Sequence, residues 1–343
     1  MKHITIDDIA HEAGVSKSTV SRVISRPNLV KEKTRKQVLS IIEKYSYTPN
    51  VLAQGLAGMP TKNIGVVVDE FPNNFYIDMA DGIDSVITAN NYTFQVMSSR
   101  WRPERELAGI RSMIKNRVDG ILIAPVSADS PAVMELKRFG VPFVLMNCQS
   151  ADPAVSFVSC DNYKGGALLA EYFNTLEHEQ IIIVSVFDHE SVRGRIRGFE
   201  EHLKTGTVRV TRYSNAKTYQ DGYDIAPLVA ESDSIKTKKT SLFVTNDYVA
   251  IGFITRFLEM GITIPAQAAI AGFDDIRIST LCRIPLTTVS QSVYDMGRIS
   301  ARALLEQIQH GKTEPVRHLM EPRLIVREST SKSGGEKKGH KTP

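Results

Sequence analysis

Apolar residues at the start of the chain recur at helical spacing. Ile6, Ile9, Ala10 and Ala13 stand at i, i+3, i+4 and i+7, which predicts one apolar helical face. Thr5 precedes this face as a candidate N-cap, with Asp8 three residues later. Gly14 then predicts the end of the first helix.

Two further short helices follow in the same pattern. Ser16 is the candidate N-cap of a second helix, and the stretch "KEKTRKQVLSIIEKY" predicts a third. The apolar residues that these helices are expected to bury are Val20, Val23, Ile24, Val38, Ile41, Ile42 and Tyr45. Two helices joined by a tight glycine turn and backed by a third are typical of a helix-turn-helix, in which the second helix enters the DNA major groove.

The outward face of the second helix fits that hypothesis. Lys17, Ser18, Ser21 and Arg22 point away from the predicted core. Short hydroxyls let a helix lie close to phosphates, and an arginine can bond a guanine edge bidentately. The alternative interpretation is an ordinary three-helix subdomain whose polar face is only solvated.

The pattern changes after Pro60 to short apolar runs that alternate with helical stretches. The runs predicted as strands are "NIGVVVD", "YTFQVMS", "GILIAP", "PFVLMN", "IIIVSVF", "VRVTRY", "LFVTND" and "AAIAGFD". Helical stretches include residues 76–90, 104–115, 163–176, 191–204 and 247–260. This order predicts a parallel α/β layout with sheets covered on both faces.

Polar residues stand where these strands end, and ligands of open α/β sheets collect beyond the carboxyl ends of the strands. The candidates are Asp69, Asn147, Asp161, Asn246, Asp247 and Asp274. Carboxylates, amides and an arginine suit a hydroxyl-rich ligand, and aromatic rings such as Phe75, Tyr76, Trp101 or Tyr219 can cover its apolar side. Each aspartate can instead be a helix cap or a turn former.

Charge is distributed unevenly. Residues 1–60 hold nine Lys and Arg against five Asp and Glu, and residues 331–343 hold four against one. Three widely spaced cysteines predict neither a disulfide framework nor a C-x-x-C metal site. With no apolar leader and no run of eighteen apolar residues, we expect a cytoplasmic protein. No cofactor is expected, and the motifs for nucleotide binding or hydrolysis are missing.

Two stretches, "TIDDIAHEAGVSKSTVSRVIS" and "YTPNVLAQGLAG", resemble the amino-terminal signature of the LacI/GalR family of bacterial transcription regulators, and the resemblance extends to "LIVREST". It implies a small all-α helix-turn-helix domain plus an α/β domain similar to periplasmic binding proteins, with two Rossmann-like subdomains. The implied boundaries are residues 1–49 for DNA binding, 50–61 for a hinge helix and linker, 62–330 for effector binding and dimerisation, and 331–343 for a disordered basic tail.

The resemblance also implies DNA contacts. Lys17 and Ser18 correspond to the positions that choose operator base pairs, Arg22 to the base-reading arginine, and Leu56 to a leucine that wedges into the minor groove. The full implied set is Thr5, Ser16, Lys17, Ser18, Thr19, Ser21, Arg22, Thr34, Asn50, Ala53 and Leu56.

For the effector, "RIRGF" carries Arg195 at the arginine of the family's R-x-x-G-F motif, which is implied to clamp ligand hydroxyls. The implied effector contacts are Asp69, Phe75, Tyr76, Asn147, Asp161, Arg195, Tyr219, Asn246, Asp247 and Asp274. One departure stands at the end of the fourth strand, where Asn147-Cys148 replaces the family's frequent Asp-Arg.

These features predict a homodimeric repressor of a carbohydrate-utilisation operon, which binds a palindromic operator and responds to a small sugar-like effector. A purine- or phosphoprotein-coupled, corepressor-dependent regulator is the alternative within this class. A solute-binding transport protein shares the large module but lacks residues 1–58. An enzyme that carries a helix-turn-helix is disfavoured by the missing catalytic motifs.

Gly55 lies in the middle of the implied hinge helix, where glycine costs about 1 kcal/mol of helix stability relative to alanine. Gly55→Ala is therefore expected to tighten operator binding, because less free energy is spent in folding the hinge. Fluorescence anisotropy with a labelled operator measures this, and an unchanged or weaker affinity contradicts it.

Overall fold

The computed structural model describes residues 4–25, 27–45, 47, 60–69, 74–185, 189–204, 209–214, 216–232, 235, 237–311 and 314–331. The implied hinge contacts Asn50, Ala53 and Leu56 lie outside these residues, as do Gly55 and residues 332–343 of the predicted tail. Among the described residues, no helix is long and apolar enough to span a membrane.

Three short helices form the amino-terminal module: α1 (Ile6–Glu12), α2 (Lys17–Ser25) and α3 (Glu32–Lys44). Thr5 and Asp8 form the predicted capping box, in which each side chain satisfies the other residue's backbone N–H. Gly14 has φ +60°, a left-handed conformation that glycine adopts without a steric cost. It ends α1 and turns the chain into α2.

The core of this module contains most of the predicted residues. Ile9, Val20 and Val38 are fully buried, and Val23 and Ile41 are nearly so. The expectation for Tyr45 is wrong, since its side chain is 38% exposed at the end of α3. Tyr47 packs partly against the core instead. Because α3 ends at Lys44, the helical spacing of apolar residues beyond residue 42 no longer places a side chain in the core.

The large module contains two parallel sheets. The first has the strand order β11-β5-β4-β3-β1-β2, and the second has the order β7-β6-β8-β9. The strands of the first are β1 (Asn63–Val68), β2 (Thr93–Ser98), β3 (Gly120–Ile123), β4 (Phe143–Met146), β5 (Phe157–Cys160) and β11 (Arg317–Met320). Those of the second are β6 (Gln180–Val184), β7 (Arg209–Tyr213), β8 (Thr240–Val244) and β9 (Ala268–Ala271). A separate antiparallel pair joins β10 (Thr288–Ser290) to β12 (Arg323–Ile325).

Helices cover these sheets, as the apolar strands predict. They are α4 (Asn74–Ile87), α5 (Pro103–Lys115), α6 (Pro131–Phe139), α7 (Asn162–Phe173), α8 (Glu190–His202), α9 (Tyr219–Ser232), α10 (Asp247–Glu259), α11 (Ile278–Leu281) and α12 (Val293–His310). We call the first sheet with α4, α5, α6 and α12 the amino-terminal subdomain. The second sheet with α7, α8, α9 and α10 is the carboxy-terminal subdomain.

The chain passes between the subdomains three times. It crosses after β5, again between β10 and α12, and finally between β11 and β12. The last strand of the amino-terminal sheet, β11, therefore comes from the end of the chain and pairs in parallel with β5. These crossings hold the carboxyl ends of the two sheets against one another, which places the strand-end residues of both subdomains at one cleft.

Close packing of α7 against α8 fixes the position of the cleft residues that α8 carries. A Cβ atom on Gly198 would lie 1.9 Å from the backbone carbonyl oxygen of Tyr163, and one on Gly166 would lie 2.0 Å from that of Arg195. Only glycine permits the two backbones to approach so closely.

Gly198→Ala is expected to destabilise the protein by about 1–3 kcal/mol, because the methyl group overlaps a backbone atom that cannot move aside. Urea unfolding followed by circular dichroism measures this. Gly194→Ala is the matched control on the same helix, since its Cβ meets nothing nearer than the Asn162 Cβ at 3.3 Å. Equal midpoints for the two variants would contradict the packing argument.

Candidate functional site

A narrow cavity, which we call the inner cavity, lies between the carboxyl ends of the two sheets. Its lining comes from both subdomains: Asp69, Phe75, Tyr76, Trp101 and Asn147 from the first, and Ser191, Val192, Arg195, Asn246 and Asp274 from the second. Its volume is about 50 Å³. Typical ligand pockets occupy roughly 300–1,000 Å³, so a sugar-sized ligand requires the two walls to move apart.

Arg195 anchors the carboxy-terminal wall. Its Nε donates to Asn162 Oδ1 at 2.8 Å, and its Nη1 donates to the Thr245 carbonyl at 2.6 Å and to Asp274 Oδ1 at 3.1 Å. The guanidinium carbon also lies 4.0 Å from the centroid of the Phe273 ring. A buried guanidinium group needs such partners because desolvation of an unpaired charge is costly. The geometry fixes one charged group at the cleft.

Asp274 completes this wall in a strained conformation, with φ +126°. Gln291 Nε2 donates to the same carboxylate oxygen as Arg195, at 2.6 Å. Burial raises the pKa of Asp274, while the Arg195 charge acts in the opposite direction. A carboxylate held by two donors in this way can accept a further hydroxyl from a ligand.

Asn246 stands beside this pair as the N-cap of α10. Its Oδ1 accepts the backbone N–H of Val249 at 2.8 Å. The side-chain amide group carries two N–H donors that the cap does not use. Asn246 therefore presents donors at the cavity next to the acceptors of Asp274.

The opposite wall is aromatic. The rings of Phe75 and Tyr76 meet edge to face with centroids 5.1 Å apart, and both side chains are buried. Burial, followed by the nearby charge of Asp69, raises the pKa of the Tyr76 hydroxyl well above its ordinary value. Trp101 extends this wall from a loop in which both it and Arg100 have positive φ. Aromatic faces of this kind pack against the apolar C–H face of a sugar ring.

Asn147 presents a buried acceptor at the cavity. Its backbone is left-handed, with φ +52°, directly after β4. Its Oδ1 is buried and has no hydrogen-bond partner among the described residues. A buried acceptor without a partner costs free energy, so a ligand donor at this atom is favoured.

Three predicted contacts do not lie on the inner cavity. Tyr219 packs against the rings of Tyr223 and Tyr248, with centroids 6.3 Å away in each case. Asp161 caps α7 by accepting the Lys164 N–H at 2.9 Å. It lines a larger neighbouring cavity instead.

Asp247 is the third of these residues, and it is fully buried. Its Oδ1 accepts the Thr288 hydroxyl at 2.6 Å, and its Oδ2 accepts the Ile276 N–H at 3.1 Å. Both oxygens therefore stabilise the loops behind the cavity. The position of Asp247 at a strand end correctly predicts that it lies near the cleft, but it does not predict the direction of its side chain.

Ser191 and Val192 line the cavity without having been predicted. They precede Arg195 by four and three residues on α8, so they share its helical face. Helical spacing from Arg195 could have identified both. Asn162 and Gln291 were also missed, because they act only through their bonds to Arg195 and Asp274.

The predicted DNA-contact residues of the amino-terminal module lie near one another around α2. Ser16 Oγ lies 2.8 Å from Ser18 Oγ and 2.9 Å from Thr19 Oγ1, which groups three hydroxyls at the start of the helix. Lys17 Nζ forms an exposed ion pair with Asp7 at 2.9 Å. Arg22 is exposed, and Ser21 and Thr34 are half-buried. Thr5 is engaged in its capping box with Asp8.

Comparisons with known proteins agree on one family over most of the chain. Residues 5–50 match the model of bacterial regulatory proteins of the lacI family, and residues 170–330 match the periplasmic binding protein-like domain. Catabolite control protein A of Priestia megaterium is 31% identical over 333 residues, which are 96% of this chain and 99% of that protein. The chain belongs to the LacI family of bacterial regulatory proteins. The resemblance predicted from the motifs is confirmed, and the protein is a DNA-binding transcription regulator.

Solved structures of the family confirm the predicted fold class. The Lac repressor bound to ONPG in the repressed state is 25% identical, with a TM-score of 0.80 over 96% of this chain and 100% of that one. A LacI family regulator from Enterococcus faecium with bound ribose is 26% identical, with a TM-score of 0.70 over 78% of this chain and 98% of that one. In the described part of this regulator, no group of His, Cys, Asp or Glu residues is arranged to hold a metal ion.

The buried carboxylates of the regulator predict a pH dependence of stability. Burial and mutual repulsion raise the pKa of Asp247 above its ordinary 3.8, so the folded protein binds this proton more tightly than the unfolded chain does. Protonated Asp247 therefore contributes its full stabilisation below its pKa in the unfolded chain. This contribution is lost as the pH rises through its higher pKa in the folded protein. Asp247→Asn, which cannot ionise, is expected to show a smaller loss of stability between pH 5 and 8.

Urea unfolding at a series of pH values measures this slope for the wild type and the variant. Asp224→Asn, an exposed carboxylate on α9, is the control and should retain the wild-type slope. The prediction fails if Asp247→Asn and the wild type lose stability in parallel.

Proposed function

We propose that this regulator is a homodimeric repressor of a carbohydrate-utilisation operon, and that a sugar-like effector in the inner cavity changes its operator affinity. The observation that carries the proposal is that a polar wall faces an aromatic wall across the inner cavity. Arg195, Asp274 and Asn246 supply charged and amide groups on one side, while Phe75 and Tyr76 supply aromatic faces on the other. This combination suits a polyhydroxylated ring, which is apolar on its faces and polar at its rim.

The narrowness of the cavity supports a switch. Residues from both subdomains line it, so a ligand that enters must change the distance between the two walls. By linkage, an effector that favours one arrangement of the subdomains changes DNA affinity by the same free energy by which DNA changes effector affinity. The relatives bound to ONPG and to ribose contain sugar or sugar-derived ligands, which supports the same ligand class here.

DNA recognition is proposed to use α2. Lys17, Ser18 and Arg22 would read base edges, and the hydroxyls of Thr5, Ser16, Thr19, Ser21 and Thr34 would contact phosphates. Asn50, Ala53 and Leu56 would add contacts from the hinge. One recognition helix contacts only a few base pairs. Two copies in a dimer that binds a palindrome contact a site long enough to be specific within a genome. Catalysis is not part of the proposed function.

The alternative effector is a purine that acts as a corepressor. The aromatic rings of Phe75, Tyr76 and Trp101 favour a flat ligand, but the described residues of the facing wall are polar apart from Val192 and include no second aromatic face. A planar base would therefore stack on one side only. The sugar remains the better fit.

The first experiment identifies the operator by retaining genomic fragments on the purified protein at physiological salt. Enriched palindromes supply the probe for anisotropy titrations with and without sugars. A pocket that binds sugar without any change in operator affinity would refute the switch, and binding of a purine alone would favour the alternative.

Two variants separate the two proposed sites. Arg22→Ala is expected to cost about 1–3 kcal/mol of operator discrimination, because a bidentate base contact is lost, and to leave sugar binding intact. Arg195→Gln is expected to lower the affinity for the sugar by about tenfold or more, because charged hydrogen bonds are lost. Operator binding without effector is expected to stay intact. Anisotropy and calorimetry measure the two affinities, and thermal unfolding checks that both variants fold. Joint loss of both activities in either variant would contradict separate sites.

A further inference from the structure

A second cavity adjoins the inner one and has no role in the function proposed above. This outer cavity has a volume of about 700 Å³ and lies between the end of β4, the start of α7 and the solvent side of α8. Asn147 and Ser191 line both cavities and form the boundary between them. The two spaces are therefore neighbouring parts of one groove between the subdomains.

The boundary between the two cavities carries groups that a ligand can bind. Asn147 Oδ1, the buried acceptor without a partner in the described structure, belongs to a residue that faces both spaces. Next to it, the rings of Trp101 and His189 meet edge to face with centroids 5.5 Å apart. Trp101 lines the inner cavity and His189 lines the outer one, so an aromatic surface continues across the boundary. Successive rings of an oligosaccharide can each pack against one part of this aromatic surface.

Charge in the outer cavity indicates the chemistry of its ligand. Its lining includes the carboxylates of Asp161, Glu190, Glu200 and Glu201 and the guanidinium groups of Arg193 and Arg197, and Glu200 is paired with Arg212. The Arg197 group lies over the Tyr163 ring, 5.2 Å from its centroid. Carboxylates accept hydrogen bonds from hydroxyl groups and repel phosphate. An uncharged polyol therefore fits this lining better than a sugar phosphate does.

We infer that the effector is a neutral oligosaccharide of at least two rings, one held in the inner cavity and the next in the outer cavity across Asn147. This inference rests on the proposed sugar-responsive function and specifies its ligand class. It assigns the outer cavity as a second sugar subsite, which determines the preferred length of the ligand.

The test uses the full-length protein and isothermal titration calorimetry. The probes are maltose, cellobiose, sucrose and lactose, their constituent monosaccharides, and glucose 6-phosphate. At least one disaccharide is expected to bind ten or more times more tightly than its monosaccharides and than the phosphate ester.

Gly194→Phe tests the subsite directly. Gly194 lines the outer cavity, and a Cβ there meets nothing nearer than the Asn162 Cβ at 3.3 Å, so a phenylalanine side chain at this position is expected to place its ring in the cavity. The variant is expected to lose the tenfold preference for the disaccharide. Ala154→Phe adds the same ring before the amino end of β5, away from both cavities, and should keep the preference. Thermal unfolding confirms that each variant folds.

Different outcomes test the second subsite and the sugar-responsive function separately. Equal affinity for a disaccharide and its monosaccharides, or an unchanged preference in Gly194→Phe, overturns the second subsite and leaves the sugar-responsive function standing. Tighter binding of glucose 6-phosphate overturns the neutral ligand class. Absence of binding by every sugar in the panel overturns both this inference and the proposed function.

Discussion

The cleft depends on the buried ion pair between Arg195 and Asp274. Arg195 is only 4% exposed, so its guanidinium group must recover the free energy of desolvation from partners, and it does so with Asn162, Thr245 and Asp274. The same bonds fix the position of the charged group that faces the inner cavity. Because the pair cannot rotate freely without leaving a buried charge unpaired, the carboxy-terminal wall of the cleft is preorganised.

This network also reaches the segments that connect the subdomains. Asn162 begins α7 directly after the first crossing, and Gln291 lies in the second crossing between β10 and α12. A change in the angle between the subdomains therefore acts on the partners of Arg195 and Asp274. The groups that line the inner cavity and the connecting segments therefore share hydrogen bonds, which links them in one physical network.

The acidic side of this network carries an electrostatic cost. Asp247 lies fully buried behind Asp274, and both pKa values are raised, first by burial. Thr288 and Ile276 offset part of the cost by donating to Asp247. A carboxylate that stabilises the loops, Asp247, and a carboxylate that lines the inner cavity, Asp274, thus lie within one loop cluster and differ in their hydrogen-bond partners.

The amino-acid sequence by itself determined the elements, the fold class and the family. Local signals were sufficient there: the Thr5 and Asp8 capping box, the Gly14 turn and the apolar strands that precede Asp69, Asn147 and Asp274 all act over a few residues. Tertiary structure decided which strand-end residues meet in the cleft. Asp247, Asp161 and Tyr219 share the sequence pattern of the cleft residues, yet they face Thr288, the α7 backbone and Tyr223. Position at a strand end specifies the region of a side chain, whereas its direction depends on loop conformation and on neighbours that are distant in the chain.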